Sequence, residues 1–209
     1  MTYKRDPDHR TRRAKAEGYA ARSVYKLQEI DRRVRLLRPG KRVLDLGCAP
    51  GSWLQYVSER VGPSGRVVGV DREPVRVALP AHVVFVQADV GAPLPLPDDP
   101  FDVVLSDLAP HTMGDRFVDE QASLGLFRQA LSIARERLRP NGAFVGKLFQ
   151  GGDFPEAKRE VAEAFVEVRV MRPEATRKES VEVYLVGLGL KARRPSLPAR
   201  PPSPRPRRT

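Results

Sequence analysis

Short apolar runs rich in β-branched residues alternate with amphipathic helical patterns from residue 42 onward, and this alternation restricts the possible folds more than any other feature. Repeated strand–helix units form a parallel sheet, because each connection between parallel strands needs a crossover. Seven strands are predicted, at residues 42–47, 66–71, 83–89, 101–107, 142–149, 166–172 and 182–190. Most of these runs are apolar throughout, as expected for strands that helices cover on both faces. We therefore predict an α/β fold with a seven-stranded, mostly parallel sheet flanked by helices.

Helical periodicity is clearest between the fourth and fifth predicted strands. Apolar residues recur there at spacings of three and four, at Leu124, Phe127, Leu131, Ala134 and Leu138. The segment Arg-Pro-Asn-Gly, residues 139–142, predicts the end of this helix and a turn before the fifth strand, because proline cannot continue a helix. Two more helices are predicted, at residues 19–37 and 50–61.

Positive charge is concentrated at the two ends of the chain. The formal net charge is +11, of which residues 1–26 contribute +5 and residues 191–209 contribute +7, so the body between them is nearly neutral. Such arms suit a polyanion, since phosphate contacts release counterions, although charged tails can also serve solubility alone. We predict a basic N-terminal arm at 1–18, one domain at 19–190 and a disordered Pro/Arg-rich tail at 191–209. The first dozen residues are also expected to be mobile.

Composition excludes several classes of protein and site. No run approaches the roughly 18 apolar residues of a membrane span, and the N-terminal region is charged, with no apolar signal segment. These features predict a cytoplasmic protein without a membrane partner. The single cysteine, Cys48, excludes an internal disulfide and is interpreted as a packing residue. With only three, widely spaced histidines, no protein-built metal site is expected.

A ligand-binding loop is predicted at residues 45–53, Asp-Leu-Gly-Cys-Ala-Pro-Gly-Ser-Trp, which join the first strand to a helix. The spacing differs from the G-x-G-x-x-G dinucleotide fingerprint, which disfavours a pyrophosphate site and an NAD-dependent oxidoreductase. Asp71 and Asp89 close the next two strands, where they can accept hydrogen bonds from ribose hydroxyls and an adenine amino group. Together with Asp45 they predict a nucleoside site, although each alone can simply cap a helix. Trp53 is either a core aromatic or, as its position slightly favours, a wall of the pocket.

A second group of polar residues surrounds Lys147, which interrupts the apolar fifth strand. A lysine in a central strand needs a partner, and Asp107 at the end of the neighbouring strand can provide one. A buried ion pair with a purely structural role is one interpretation. The functional interpretation adds Lys26, from the N-terminal helix, and Glu182, from the start of the last strand, so that two lysines and two carboxylates converge at one edge.

The chain resembles the FtsJ family of heat-shock ribosomal RNA methyltransferases over roughly residues 8–191. The resemblance rests on residues 22–27, 45–53, 106–110, 147–151 and 182–184. It implies a Rossmann-like, S-adenosylmethionine-dependent methyltransferase whose catalytic Lys-Asp-Lys-Glu tetrad corresponds to Lys26, Asp107, Lys147 and Glu182. The family's cofactor positions fall on Gly51, Trp53, Asp71, Asp89 and Asp107. Ser52, where the family usually has a second glycine, His111, where asparagine is common, and the Pro/Arg-rich tail depart from the family pattern.

The resemblance also implies a reaction and a substrate. The expected reaction is 2′-O-methylation of a uridine ribose in 23S ribosomal RNA, late in assembly of the large subunit. In this hypothesis Lys147 is the general base, Asp107 orients its amine and Glu182 positions Lys26 or the ribose. The protein is expected to act as a monomer. The alternatives are a 2′-O-methyltransferase for transfer RNA or an mRNA cap, and an inactive RNA-binding homologue.

Overall fold

The computed structural model describes residues 9–176 and 180–192. Within these residues the elements follow one another as α1 (His9–Ala16), α2 (Val24–Val34), β1 (Arg42–Leu46), α3 (Ser52–Val61), β2 (Arg66–Asp71), β3 (Val83–Gln87), β4 (Phe101–Ser106), α4 (Arg116–Arg137), β5 (Leu138–Phe149), α5 (Phe154–Ala164), β6 (Phe165–Met171) and β7 (Glu182–Leu190). No helix in this part of the chain is long and apolar enough to span a membrane. Most of the predicted tail, residues 193–209, lies outside the described residues, as do residues 1–8 of the predicted arm.

The strands form one sheet in the order β3-β2-β1-β4-β5-β7-β6. All pairs from β3 to β5 are parallel, whereas β7 is antiparallel to both β5 and β6. The predicted seven-stranded, mostly parallel sheet is therefore confirmed. The reversal of β7 matters for the site, because it brings the first residue of β7 to the edge where the parallel strands end.

Helices cover both faces of the sheet and enclose two apolar cores. On one face, α4 and α5 pack through residues such as Phe127 and Val161 against β4 and β5. On the other face, α2 and α3 contribute Ile30, Trp53 and Val57. This sandwich explains why β1 and β4 are apolar throughout, since successive side chains on a strand enter opposite cores.

Several element boundaries differ from the sequence predictions. Strand β5 begins at Leu138 rather than at residue 142, because the chain pairs with β4 directly after α4 and then bulges before Ala143. Asn141 lies in this bulge with a φ of 63°, a left-handed conformation that asparagine tolerates better than most residues. Strand β3 ends at Gln87, so Asp89 lies two residues beyond the strand instead of closing it.

The helices differ from the sequence predictions more than the strands do. Helix α5 was not predicted, and α4 begins at Arg116, where the side chain of Asp115 caps the helix by accepting a hydrogen bond from the Val118 N–H. Helix α2 is shorter than predicted. Residues 9–12, which belong to the segment expected to be mobile, form the start of α1. This helix packs its buried Ala14 against Val24, a contact that the local sequence pattern does not reveal.

Phe144 in β5 tests the packing of the core beneath α4 and α5. Its side chain is fully buried, with ring centroids 5.7 Å from Phe127 and 6.2 Å from Phe165. We expect Phe144→Ala to lower the free energy of unfolding by about 3–5 kcal/mol, measured by urea denaturation, because it removes apolar burial and leaves a cavity. Val166→Ala, at an exposed position of β6, should change it by less than about 0.5 kcal/mol. Equal effects of the two substitutions would contradict this description of the core.

Candidate active site

The strand order creates a crevice at the carboxyl edge of the sheet, between β1 and β4. From β1 the chain moves outward to β2 and β3, and it then returns to β4 on the other side of β1. The connections from β1 and β4 lead to α3 and α4 on opposite faces of the sheet, which opens a space at this switch point. A hydrogen bond of 3.1 Å from the Asp107 N–H to the Leu46 carbonyl ties the two strand ends together.

The predicted loop between β1 and α3 forms the floor of this crevice. Gly47 has a φ of 77°, and a Cβ atom at this position would lie 2.9 Å from the backbone nitrogen of Leu108, so only glycine allows the two loops to approach so closely. The Ala49–Pro50 peptide bond is cis. Gly51, with a φ of 114°, precedes the first turn of α3. The N–H groups of that turn have no carbonyl partner within the helix.

A cavity of about 250 Å³ lies above this loop. Its lining includes Gly47, Asp71, Asp89 and Asp107. Asp71 accepts hydrogen bonds from the N–H groups of Ala49 at 2.8 Å and Glu73 at 2.9 Å. Three of the carboxylates that were expected to hold a cofactor therefore face one space.

Asp89 keeps its position at this cavity although it lies beyond β3. Its side chain accepts a hydrogen bond from the Gly91 N–H at 2.8 Å and lies 3.7 Å from the Arg72 guanidinium. The first contact is a local turn, and the ion pair is exposed and weak. The carboxylate is therefore held by its own loop and retains acceptor capacity for a ligand.

Asp45 differs from the other strand-end acids, because its side chain is fully buried and is not part of the cavity lining. Neither of its carboxylate oxygens has a hydrogen-bond partner. Burial, reinforced by the negative charges of Asp107 and Asp71, raises the pKa of Asp45 well above its usual value. The expectation that Asp45 faces the ligand directly is therefore wrong. It lies beneath the loop.

The Trp53 side chain is a core residue and not a pocket wall. Its ring is 2% exposed, packs within the core under α2 and α3, and lies 6.1 Å from the ring of Tyr184. Its Nε1 donates a hydrogen bond of 2.9 Å to the Ser23 carbonyl. Gly51 and Trp53 are both absent from the lining of the cavity. A cofactor contact by Trp53 would therefore involve its backbone N–H in the first turn of α3, not its ring.

The four residues of the predicted tetrad lie together at the same edge. Lys26 Nζ is 2.7 Å from Glu182 Oε2, and Lys147 Nζ is 3.1 Å from Asp107 Oδ1 and 3.9 Å from Glu182 Oε1. Lys147 also donates a hydrogen bond of 2.6 Å to the backbone carbonyl of Asp107. The two lysines are only 8% and 5% exposed. The charges therefore alternate in sign along a largely buried network, in which each carboxylate is next to a lysine.

Tyr184 completes this network, and residue-by-residue reasoning on the sequence did not single it out. Its hydroxyl donates a hydrogen bond of 2.7 Å to Asp107 Oδ1. Burial opposes ionisation of Asp107, but Lys147, Lys26 and this hydroxyl together hold the pKa of the carboxyl below its usual value. Burial and the neighbouring carboxylates raise the pKa of Tyr184 well above its usual value. Alternation along β7 gives a signal, because Tyr184 lies two residues after Glu182 and shares its face of the sheet.

Lys26 reaches the network because α2 is attached to α3 near both of its ends. At the start of α2, Ser23 receives the Trp53 hydrogen bond and its Oγ lies 2.9 Å from the Oγ of buried Ser52. Near the end, Asp31 accepts a hydrogen bond of 2.9 Å from the Tyr56 hydroxyl. The ligand-binding loop and the helix that carries Lys26 are thus parts of one packed unit.

No group of histidine, cysteine, aspartate and glutamate side chains suited to a metal ion occurs among residues 9–176 and 180–192. Cys48 is buried, and burial together with the charges of Asp45 and Asp71 raises the pKa of its thiol. A thiol in this environment is a packing group and not a nucleophile.

The raised pKa of Asp45 predicts a pH dependence of stability. A carboxyl that binds its proton more tightly in the folded state stabilises the protein at low pH, and this contribution is lost as the pH rises from the unfolded-state pKa of about 3.9 through the folded-state pKa. We expect the free energy of unfolding of the wild type to fall relative to that of Asp45→Asn between pH 4 and pH 8. Denaturant titrations of both proteins at several pH values measure the difference. A difference that is constant with pH would contradict the assignment.

The sequence matches a known protein family over most of its length. The model of the FtsJ-like methyltransferase family matches residues 19–190. A relative from Sorangium cellulosum is 50% identical over 196 residues, which are 91% of this chain and 91% of the relative. One from Syntrophobacter fumaroxidans is 51% identical over 189 residues, which are 88% of this chain and 96% of the relative. Both are named ribosomal RNA large subunit methyltransferase E.

The fold is also found in a solved structure. The crystal structure of a candidate ribosomal RNA methyltransferase from Plasmodium falciparum superposes with a TM-score of 0.73 at 25% sequence identity, and the match covers 84% of this chain and 100% of that one. The family model, the two relatives and this solved structure are all described as methyltransferases. The chain is a member of the FtsJ-like methyltransferase family.

Proposed function

We propose that this protein is an S-adenosylmethionine-dependent enzyme that methylates the 2′-hydroxyl of a uridine ribose in 23S ribosomal RNA, late in assembly of the large subunit. The observation that carries the proposal is the alternating network of Lys26, Glu182, Lys147 and Asp107 beside the acid-lined cavity. The name shared by the two relatives supports the ribosomal RNA substrate. The protein is proposed to act as a monomer in the cytoplasm.

The chemistry of the cavity suits S-adenosylmethionine. The ligand carries a ribose diol, an adenine amino group and positive charge, and carboxylates can accept hydrogen bonds from the diol and the amine. In the proposal Asp71 binds the ribose, Asp89 the adenine amino group and Asp107 the positively charged end, with Gly51 and the backbone of Trp53 completing the site. When bound, the cofactor supplies an electrophilic methyl group.

The network suits proton removal from a weakly acidic hydroxyl. Once the Lys147 ammonium has released one proton to solvent, its amine has two N–H bonds, and the carbonyl and the carboxylate of Asp107 lie within reach of both. The lone pair at Nζ then remains to accept the proton of the ribose 2′-hydroxyl. Glu182 holds Lys26 at 2.7 Å, which leaves other N–H bonds of that ammonium to position the ribose. Tyr184 is a positioning residue that fixes the Asp107 carboxylate.

Three alternatives share the same fold. Transfer RNA and an mRNA cap are possible acceptors for the same chemistry, and a homologue that binds RNA without methylating it would keep the basic surfaces. The complete tetrad disfavours the inactive homologue, because paired buried lysines and carboxylates are costly to maintain for binding alone.

Mass spectrometry of RNA incubated with the protein and methyl-labelled S-adenosylmethionine tests the reaction and the acceptor. We expect one labelled 2′-O-methyluridine in 23S RNA, and faster transfer to unmodified large subunits than to the naked transcript. Transfer RNA and capped RNA serve as competing acceptors in the same assay. Label confined to either of these would replace the proposed substrate, and cofactor binding without label in any RNA would support the inactive homologue.

The role of Lys147 is tested by Lys147→Met and Lys147→Arg. Both should lower the rate of transfer at least about a hundredfold, because neither side chain can accept a proton at neutral pH. Calorimetry should show unchanged S-adenosylmethionine binding. Lys158→Met, on the exposed surface of α5, should keep the wild-type rate. Substantial activity in Lys147→Arg would indicate that Lys147 acts through its charge and not as a base.

A further inference from the structure

A groove of about 450 Å³ continues the carboxyl edge beyond the tetrad. We call it the arginine groove, and its lining includes Arg116, Gln150, Gly151, Gly152, Arg172 and Val181. Val181 directly precedes Glu182 of the tetrad, and its carbonyl accepts a hydrogen bond of 2.9 Å from the Gln150 N–H. The groove therefore begins where the tetrad ends.

The strand order fixes the sequence of sites along the edge. The cofactor cavity lies over the ends of β2, β1 and β4, and the tetrad follows with residues from β4, β5 and β7. The arginine groove lies next, over the ends of β5 and β6 and the start of β7. An acceptor ribose at the tetrad has the cofactor on one side. A strand attached to that ribose can therefore continue into the arginine groove on the other side.

The charge of the arginine groove suits phosphate groups. Its lining contains two arginines and no acidic residue among the described residues. The Arg116 side chain is 78% exposed and is oriented by Glu120, whose carboxylate lies 2.8 Å from its Nε. Arg172 donates a hydrogen bond of 2.6 Å to the Ser180 carbonyl, which holds it at the groove. Among the described residues these contacts use one of the five N–H donors of each guanidinium, and a guanidinium matches a phosphate in geometry as well as in charge.

The shape and rim of the arginine groove favour a nucleic acid strand. Gly151 and Gly152 line the groove with backbone alone, which leaves room for a bound strand on this side. A Cβ atom at Gly151 would overlap the Glu120 carboxylate. Phe117, which follows Arg116 in α4, is not part of the groove lining, but it is 70% exposed. Unpaired bases of single-stranded RNA stack on exposed aromatic rings, and Phe117 offers one close in the chain to Arg116.

We propose that the arginine groove binds the phosphates of the RNA strand adjacent to the acceptor ribose, with Arg116 and Arg172 as the phosphate ligands. This inference rests on the proposed function, since it assumes that the acceptor ribose lies at the tetrad. It assigns substrate binding to the folded domain, in addition to the basic ends of the chain. The expected role is in RNA affinity and not in the methyl-transfer step.

Substitution of the two arginines tests the assignment. Arg116→Gln and Arg172→Gln should each raise the KM for unmodified large subunits, and the Kd for a 23S RNA transcript, about tenfold, with little change in kcat or in S-adenosylmethionine binding. Each should also reduce the slope of log affinity against log salt by about 0.7, the value for one lost contact to single-stranded phosphate. Arg116→Lys keeps the charge and should recover most of the affinity.

Arg137→Gln is the matched control, because Arg137 ends the helix that Arg116 begins and therefore lies at the opposite edge of the sheet. Arg137→Gln removes the same charge as Arg116→Gln. Because this charge lies far from the groove, the control should keep RNA affinity near the wild-type value. The inference would be overturned if Arg116→Gln and Arg172→Gln had the melting temperature of the wild type and also the RNA affinity of the Arg137→Gln control. So would weaker binding to large subunits with unchanged binding to the transcript, which would indicate a protein contact. A wild-type protein without methyl transfer would instead refute the proposed function, while the binding and salt measurements would still report on the groove.

Discussion

The pairing of buried charges at the carboxyl edge is the constraint on which the rest of the site depends. An isolated ammonium or carboxylate in the interior is very costly, so Lys26 and Lys147 can be buried only if carboxylates lie next to them. Their partners come from distant parts of the chain, since Asp107 directly follows β4 and Glu182 begins β7. Correct assembly of α2, β4, β5 and β7 therefore satisfies the charges and builds the candidate active site at the same time.

The reversed strand β7 makes this pairing possible. In a fully parallel sheet, the residue at the start of a strand lies at the amino edge, far from the site. Because β7 is antiparallel to β5, Glu182 pairs in register with Phe149 and Tyr184 with Lys147. One strand thus supplies the partner of Lys26 and the hydroxyl that fixes Asp107. The same reversal leaves the arginine groove beside the tetrad, at the start of β7.

The ligand loop and the catalytic helix are mechanically linked. Ser52 and Trp53 are the last residues of the loop and the first residues of α3. Both contact Ser23, which directly precedes the helix that carries Lys26. Asp45 lies beneath the same loop without a hydrogen-bond partner. Burial is the main cause of its raised pKa, and the negative charges of Asp107 and Asp71 raise it further. The loop that carries the acid-lined cavity and the helix that carries Lys26 are therefore held in one arrangement.

The sequence by itself determined the strands and the residue types of the site. Runs of β-branched residues predicted all seven strands, because burial on both faces leaves a local signature, and family motifs identified Lys26, Asp107, Lys147 and Glu182. Only the tertiary structure decided that Trp53 belongs to the core, that Asp45 is sealed beneath the loop, and that Tyr184 joins the network. It also decided that Arg116 and Arg172 line one groove. The physical reason is distance along the chain: Lys26 and Glu182 are separated by 156 positions, and such contacts depend on the packing of whole helices against the sheet, which local patterns do not encode.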